Sequence, residues 1–466
     1  MALLQSSRPF NVPQAVQQAL DLHRQGKLPQ AEKLYSDILA VRPDYFEALH
    51  MLGLVKVQRG DFAGALHLML GALKARPKSP EVLLNYATVL NGLGRYDEAL
   101  DTLGQVLSIK RRSVEAYNNR GAVLERLGRD EEARADFLSA LEIKSSHVDA
   151  LYNLGSVLRK LGRYPQAIKA LDRALAIKPD YAKAHNNRGA ALEAMEKPAE
   201  ALLSYDRALA LESGFVEAIN NRGSVLQKLG HPGQALAGYE RALAINPGHA
   251  EVLYNHSCAL AMVGRHQEAL ASCSKAIVAN PNYVNAQWND ALLRLRLGDY
   301  SGGFEKYEWR WKRAENAKRL RNFAQPLWLG HEPIEGRTVL LHAEQGFGDT
   351  IQFVRFATVL VQRGARVILE VQPPLVSLLS QIGAGIQVIG HGETIPVFDM
   401  HCPLLSVPRA LRTELGTIPS DVPYLNVASD RTAHWAARLP KGKRLRVGLV
   451  WSGNAVHKDD HNRSIS

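Results

Sequence analysis

The sequence predicts an all-α solenoid of nine helix-turn-helix units, wound as a right-handed superhelix, with a partial α/β segment after it. Three observations predict this. An alanine returns every 34 residues at Ala31, Ala65, Ala99, Ala133, Ala167, Ala201, Ala235 and Ala269, and Gly303 closes the series. A second lattice of small residues keeps the same period through Ala19, Gly53, Ala87, Gly121, Gly155, Gly189, Gly223, Ser257 and Ala291. Near Arg337 the apolar pattern changes, and short strands begin to alternate with helices. A fixed period of this size marks stacked units, each too small to bury its own apolar face. Alternating strands and helices mark a parallel sheet.

Within each unit the first helix ends at a glycine: Gly26, Gly60, Gly94, Gly128, Gly162, Gly230, Gly264 and Gly298, with Glu196 the exception. Glycine just past a helix suits the left-handed cap, where a side chain is strained. The second helix carries the alanine lattice and often another small residue seven positions later, as at Ala140, Ala174, Ala208, Ala242 and Ala276. Small residues at facing positions let helix axes approach. Prolines at 43, 77, 179, 247 and 281 then stop the second helix. Period and signature together closely resemble the tetratricopeptide repeat (TPR), over roughly residues 10–312.

A further row has the same period: Asn85, Asn119, Asn153, Asn187, Asn221, Asn255 and Asn289. Asparagine inside a helix costs roughly 0.5–0.7 kcal/mol against alanine. Its amide can pair with both the N–H and the C=O of an extended peptide. The row is therefore a candidate peptide-binding ladder on the concave face of the solenoid. The alternative is a local structural role. Three copies read Asn-Asn-Arg-Gly, at 118–121, 186–189 and 220–223. The TPR region of protein O-GlcNAc transferases has a similar ladder, and that resemblance implies protein or peptide partners.

The second helix of the ninth unit is aromatic-rich, from Phe304 to Trp311. It reads both as a cap on the solenoid core and as a docking face for the α/β segment. Beyond it the pattern predicts strands at Thr338–Ala343, Arg366–Val371, Ile386–Ile389 and Pro396–Met400. It predicts helices at Ile351–Arg363, Pro374–Gln381 and Val407–Leu415. The turn Gln345, Gly346, Phe347, Gly348, Asp349, Thr350 falls at the carboxyl end of the first strand, where ligands of doubly wound sheets bind. Alone, such a turn is equally a tight strand-to-helix connection capped by Asp349.

The run His342–Phe353, together with Asp399–Leu404 and Arg446–Asn454, resembles bacterial TPR proteins with a heptosyltransferase-like glycosyltransferase domain. That resemblance implies a two-lobed GT-B fold. It makes Asp349 the candidate base of an inverting sugar transfer, with His342 and Glu344 as alternates and Gln345, Gly346, Gly348 and Thr350 forming the turn near the acceptor. His401 and Cys402 read as a buried strand pair. The resulting organisation is a tail at 1–11, nine repeats at 12–315, a linker at 316–336, a Rossmann-like lobe at 337–436 and the start of a second lobe at 437–466. The second lobe would hold a nucleotide-sugar donor. Without the rest of it the expectation is no cofactor, a chain inactive alone, and a peptide-binding scaffold as the main function. The alternative is a fragment of a sugar-transferring enzyme.

Totals limit the other classes. The 466 residues carry a net charge of +11, but acids interrupt the basic clusters, so nucleic acid is disfavoured as a partner. Apolar runs are too short to span a membrane. Three cysteines without CxxC spacing exclude a disulfide framework and a zinc ribbon, and fit a cytoplasmic protein.

Overall fold

A computed structural model describes residues 11–425 and 429–438. The strand expected near residues 445–451, and nearly all of the 437–466 segment, lie outside the described residues. The chain divides into two compact units, Met1–Ala286 and Gln287–Ser466.

The first unit is eight helical hairpins in sequence, from Val12–Arg24 with Leu28–Val41 to Ala250–Met262 with His266–Ala279. Every first helix has 13 residues and every second helix 14. Asn11, Ser79 and Ser113 start first helices by accepting a backbone N–H, the expected use of short polar side chains at a helix entry. The glycine after each first helix is left-handed, and Glu196 takes the same conformation at φ 57°. The missing glycine therefore changes the strain there and not the turn.

The two small-residue lattices meet across each hairpin. A Cβ added at Gly121, Gly189 or Gly223 would come within 2.6 Å of the ring of Phe137, Tyr205 or Tyr239, each sixteen residues later on the second helix. Gly155 faces Leu171 and Gly53 faces Met69 in the same way. Where the first helix carries more than hydrogen the same pairing holds Ala87 with Leu103 and Ser257 with Cys273, all buried. A small residue on the first helix thus faces a buried one on the second in every hairpin of this unit, as close approach of the two helices requires.

The second unit holds the end of the ninth hairpin, Val284–Arg296 with Tyr300–Tyr307, and a four-stranded sheet. Its strands are β1 (Thr338–His342), β2 (Arg366–Val371), β3 (Ile386–Gly390) and β4 (Met400–Pro403). All pair in parallel, in the order β3-β2-β1-β4. The first three match the expected strands closely. The fourth begins at Met400, where the expected strand ends, because register with Val339 starts there and Val397 points into solvent. The expected helix at 351–363 is two helices, Phe347–Phe353 and Arg355–Gln362, meeting at buried Val354. The last expected helix is reduced to Val407–Ala410.

Both sheet helices, Arg355–Gln362 and Pro373–Leu379, pack on the face that carries Val339, Leu341, Val367 and Leu369. The opposite face carries Leu340, Ile368 and Ile389 under Phe323, Ile395 and Phe398 from irregular segments. Helices therefore cover one face among the described residues, where a doubly wound sheet has them on both. The segment at 316–336 is part of this fold. Trp328 donates its backbone N–H to His401 O at 2.8 Å, and Trp328 and Ile334 join the core.

Candidate functional site

The asparagine row sits on the first helices, and all seven side chains are half-buried. Asn153 Nδ2 donates to Asn118 Oδ1 at 3.0 Å, Asn221 to Asn186 at 3.1 Å and Asn255 to Asn220 at 2.9 Å. Asn85 Nδ2 lies 2.8 Å from His50 Nε2. Each partner stands 35 residues earlier, just ahead of the row position in the preceding repeat. Asn187 follows the rule with Tyr152, whose hydroxyl is raised above its ordinary range by burial and eased back by that amide. At Asn119 the position 35 earlier is Leu84, and Asn119 makes no hydrogen bond with a described residue. Asn289 belongs to the second unit.

The amides thus have a structural use. One N–H of Asn85, Asn153, Asn187, Asn221 and Asn255 ties neighbouring first helices together, which offsets the propensity cost of asparagine there. The rest of the Asn-Asn-Arg-Gly motif is used as well. The first asparagine accepts the lateral bond. Arg120 grips Asp136 with two bonds of 2.7 Å, Arg188 reaches Asp172 and Ser204, and Arg222 reaches Asp206. The glycine faces the large side chain of the second helix.

The carbonyl oxygens of the row are not used in this way. The side-chain oxygens of Asn85, Asn153, Asn221 and Asn255 accept no hydrogen bond from the described residues, though the Asn255 backbone carbonyl accepts from Gln227 Nε2 at 3.4 Å. One turn on, the same helices carry Thr88, Ala122, Ser156, Ala190, Ser224 and Cys258, all small and half-buried. A shallow polar strip of open acceptors beside small side chains runs across hairpins 3 to 8.

In the second unit, the turn after β1 lies at the carboxyl edge of the sheet. Asp349 is a capping residue there: its Oδ2 accepts the Gly346 N–H at 3.2 Å. Thr350 is buried, and its hydroxyl bonds Gly346 O and Gln372 Oε1. Gln345 O accepts from Gln372 Nε2 at 2.7 Å. A side chain at Gly348 would meet nothing.

The crevice between the ends of β1 and β4 is filled from within. Arg310, 1% exposed, reaches it from the end of the ninth hairpin. Its guanidinium donates to Glu344 Oε1 at 2.9 Å, Glu308 Oε1 at 2.7 Å and Ser406 Oγ at 2.6 Å. Glu344 Oε1 also accepts the Leu405 N–H at 3.2 Å. Burial raises the Glu344 carboxyl, and Arg310 opposes that shift. The aromatic end of the ninth hairpin thus docks on the sheet. A cation already sits at the switch point of the strand order, where an anionic ligand of such a sheet would bind. This network could not be read from the sequence, since its members are 34 and 96 residues apart. His342 and His401 form a buried contact, Nε2 to Nδ1, of 3.3 Å, and Cys402 is fully buried. Among the described residues there is no helix long and apolar enough to cross a membrane and no cluster that could hold a metal ion.

Comparison with known proteins bears on the hairpins. Profiles described as tetratricopeptide repeat match residues 16–80, 93–148 and 220–284, and related TPR profiles match 56–120 and 155–196. The helical hairpins are tetratricopeptide repeats. Protein FlbA of Caulobacter vibrioides is 25% identical over 180 residues, covering 34% of this chain and 30% of FlbA. This chain therefore spans less than a third of that relative's length. Among solved structures, the APC/C hetero-tetramer Cut9–Hcn1 aligns at 14% identity, over 57% of this chain and 52% of that one, with a TM-score of 0.49. YrrB, a TPR protein with an unusual peptide-binding site, aligns at 26% identity over 40% and 96%, with a TM-score of 0.33. PilW, a type IV pilus biogenesis factor, aligns at 24% identity over 44% and 96%, with a TM-score of 0.42. All the profile matches lie between residues 16 and 284, so none reaches the sheet and its glycosyltransferase resemblance.

Proposed function

We propose that this protein is a peptide-binding scaffold and that an extended polypeptide lies along the asparagine row of hairpins 3 to 8. One observation carries the proposal: row amides spend an N–H on the neighbouring repeat and leave the carbonyl oxygen open. A stretched backbone offers N–H donors at regular intervals, and open acceptors on a strip without bulky side chains suit it. Such a grip reads backbone and tolerates many sequences. Replacing Asn153, Asn187 and Asn221 together by alanine should weaken peptide binding at least tenfold while the circular dichroism spectrum and cooperative unfolding persist. Unchanged binding by a folded variant would refute the proposal.

A second reading, sugar transfer with Asp349 as base, has in its favour the parallel strand order and the position of the turn. Against it, the Asp349 carboxylate is engaged with Gly346 and the switch point is filled by Arg310. Nucleotide-sugar hydrolysis by the purified chain, abolished by Asp349→Asn, would establish this second reading.

A further inference from the structure

The strip has a second row beside it. Six residues after the first five row asparagines stand Asn91, Glu125, Arg159, Glu193 and Gln227, two turns beyond the residue that precedes that asparagine and on the same side of the helix. Three members are satisfied within the chain, whereas Asn91 has a buried Oδ1 without a hydrogen-bond partner. Glu125 accepts from Ser156 at 3.2 Å and pairs with Lys160 at 2.7 Å. Glu193 accepts from Tyr205 at 3.2 Å and pairs with Lys228 at 2.6 Å. Gln227 accepts from Tyr239 at 2.8 Å.

Arg159 is different. It is half-buried, its Nε is buried without a partner, and its guanidinium has no hydrogen bond or ion pair with a described residue. It stands on the same first helix as Asn153 and Ser156, Val148–Lys160, in the row beside the strip. A partly desolvated guanidinium without an acceptor is costly, and a carboxylate is the group that relieves it best. The opposite edge, at the starts of the first helices, carries exposed Glu115 and Asp149 on hairpins 4 and 5, Lys183 on hairpin 6 and Glu217 on hairpin 7. In its own row Arg159 stands between Glu125 and Glu193, and each of those carboxylates is already paired with a lysine, Lys160 and Lys228.

Resting on the peptide-binding reading, we propose that Arg159 selects the ligand: it seats the carboxylate of one Asp or Glu side chain in the extended peptide that crosses hairpins 4 to 6. The lone cation of its row sets the register of a peptide otherwise held through its backbone. A bidentate Arg–carboxylate contact in a half-buried site is worth about tenfold in affinity.

The test is selection from a random library of 12-residue displayed peptides on the full chain. Peptides that bind the wild type should carry one enriched Asp or Glu. A synthetic copy with that residue changed to Gln or Asn should bind about tenfold more weakly. Arg159→Gln should erase the difference between the two peptides without abolishing binding, and Arg159→Lys should keep part of it. Binders without an acidic position, or an acid preference that survives Arg159→Gln, would overturn the assignment while leaving the peptide-binding reading intact. A folded wild type that selects no peptide would overturn both.

Discussion

Acidification should loosen the second unit through His342. This side chain ends β1 with 2% of its surface exposed. Phe323 lies against its ring at 5.7 Å, and His401 stands 3.3 Å away. Burial first, then the nearby charges of His401, Arg321 and Arg310, holds its pKa down at about 3 against an ordinary 6.5. The unfolded chain takes up this proton below about pH 6.5, whereas the folded chain refuses it until near pH 3. The unfolded state therefore binds more protons throughout that window, and stability falls as the pH drops through it. Each unit costs about 1.4 kcal/mol, so going from pH 7 to pH 5 removes about 2 kcal/mol for His342 alone. His401 is lowered by burial and by Arg321, and adds in the same direction. All six tryptophans, from Trp288 to Trp451, belong to the second unit, so their fluorescence follows that unit during urea unfolding. The wild type should lose stability from pH 7 to pH 5, and His342→Gln should lose about 2 kcal/mol less over the same interval. Equal pH dependence in the two proteins would refute the reasoning.

Three further outcomes are expected from the packing. Gly223→Ala should destabilise the first unit by about 1–3 kcal/mol in thermal unfolding, despite better helix propensity, because its Cβ would meet the Tyr239 ring at 2.5 Å; adding Tyr239→Leu should recover part of the loss. Glu196→Gly should stabilise by up to about 1 kcal/mol by removing a side chain from the left-handed region. Arg310→Met should cost the second unit about 3–5 kcal/mol at pH 7, because Glu344 and Glu308 would lose their buried cation; part of that loss should return as the pH falls and Glu344, already raised by burial, takes up a proton.

The hairpins were legible because their information is local and repeated. The left-handed glycine, the small lattice and the proline stop act within one 34-residue unit; the glycine recurs in eight units and the proline in five. Even the Glu196 exception keeps the turn. The role of the asparagines was half legible. The open amide is a property of the residue, but the lateral partner 35 positions back appears only when neighbouring first helices lie side by side. The residues preceding the row, Asn118, Tyr152, Asn186 and Asn220, were the available signal. The parallel strands were visible as apolar runs. The start of β4 was not, since an apolar stretch at 395–398 precedes it and only pairing with β1 decides where the strand begins. The Arg310 network joins three distant segments, and no local pattern marks it. Arg159 is invisible in the sequence because an unpaired arginine looks like a paired one until its neighbours are placed.

The most direct measurement of the peptide-binding claim is site-specific photocrosslinking. A benzophenone side chain placed at Ser156 or Ser224, on the strip, should capture a library-selected peptide in good yield, with the captured residues shifting along the peptide between the two positions. The same group at Lys169 or Arg207, exposed on second helices, should capture little. Equal capture from the second helices, or none from the strip, would contradict the account.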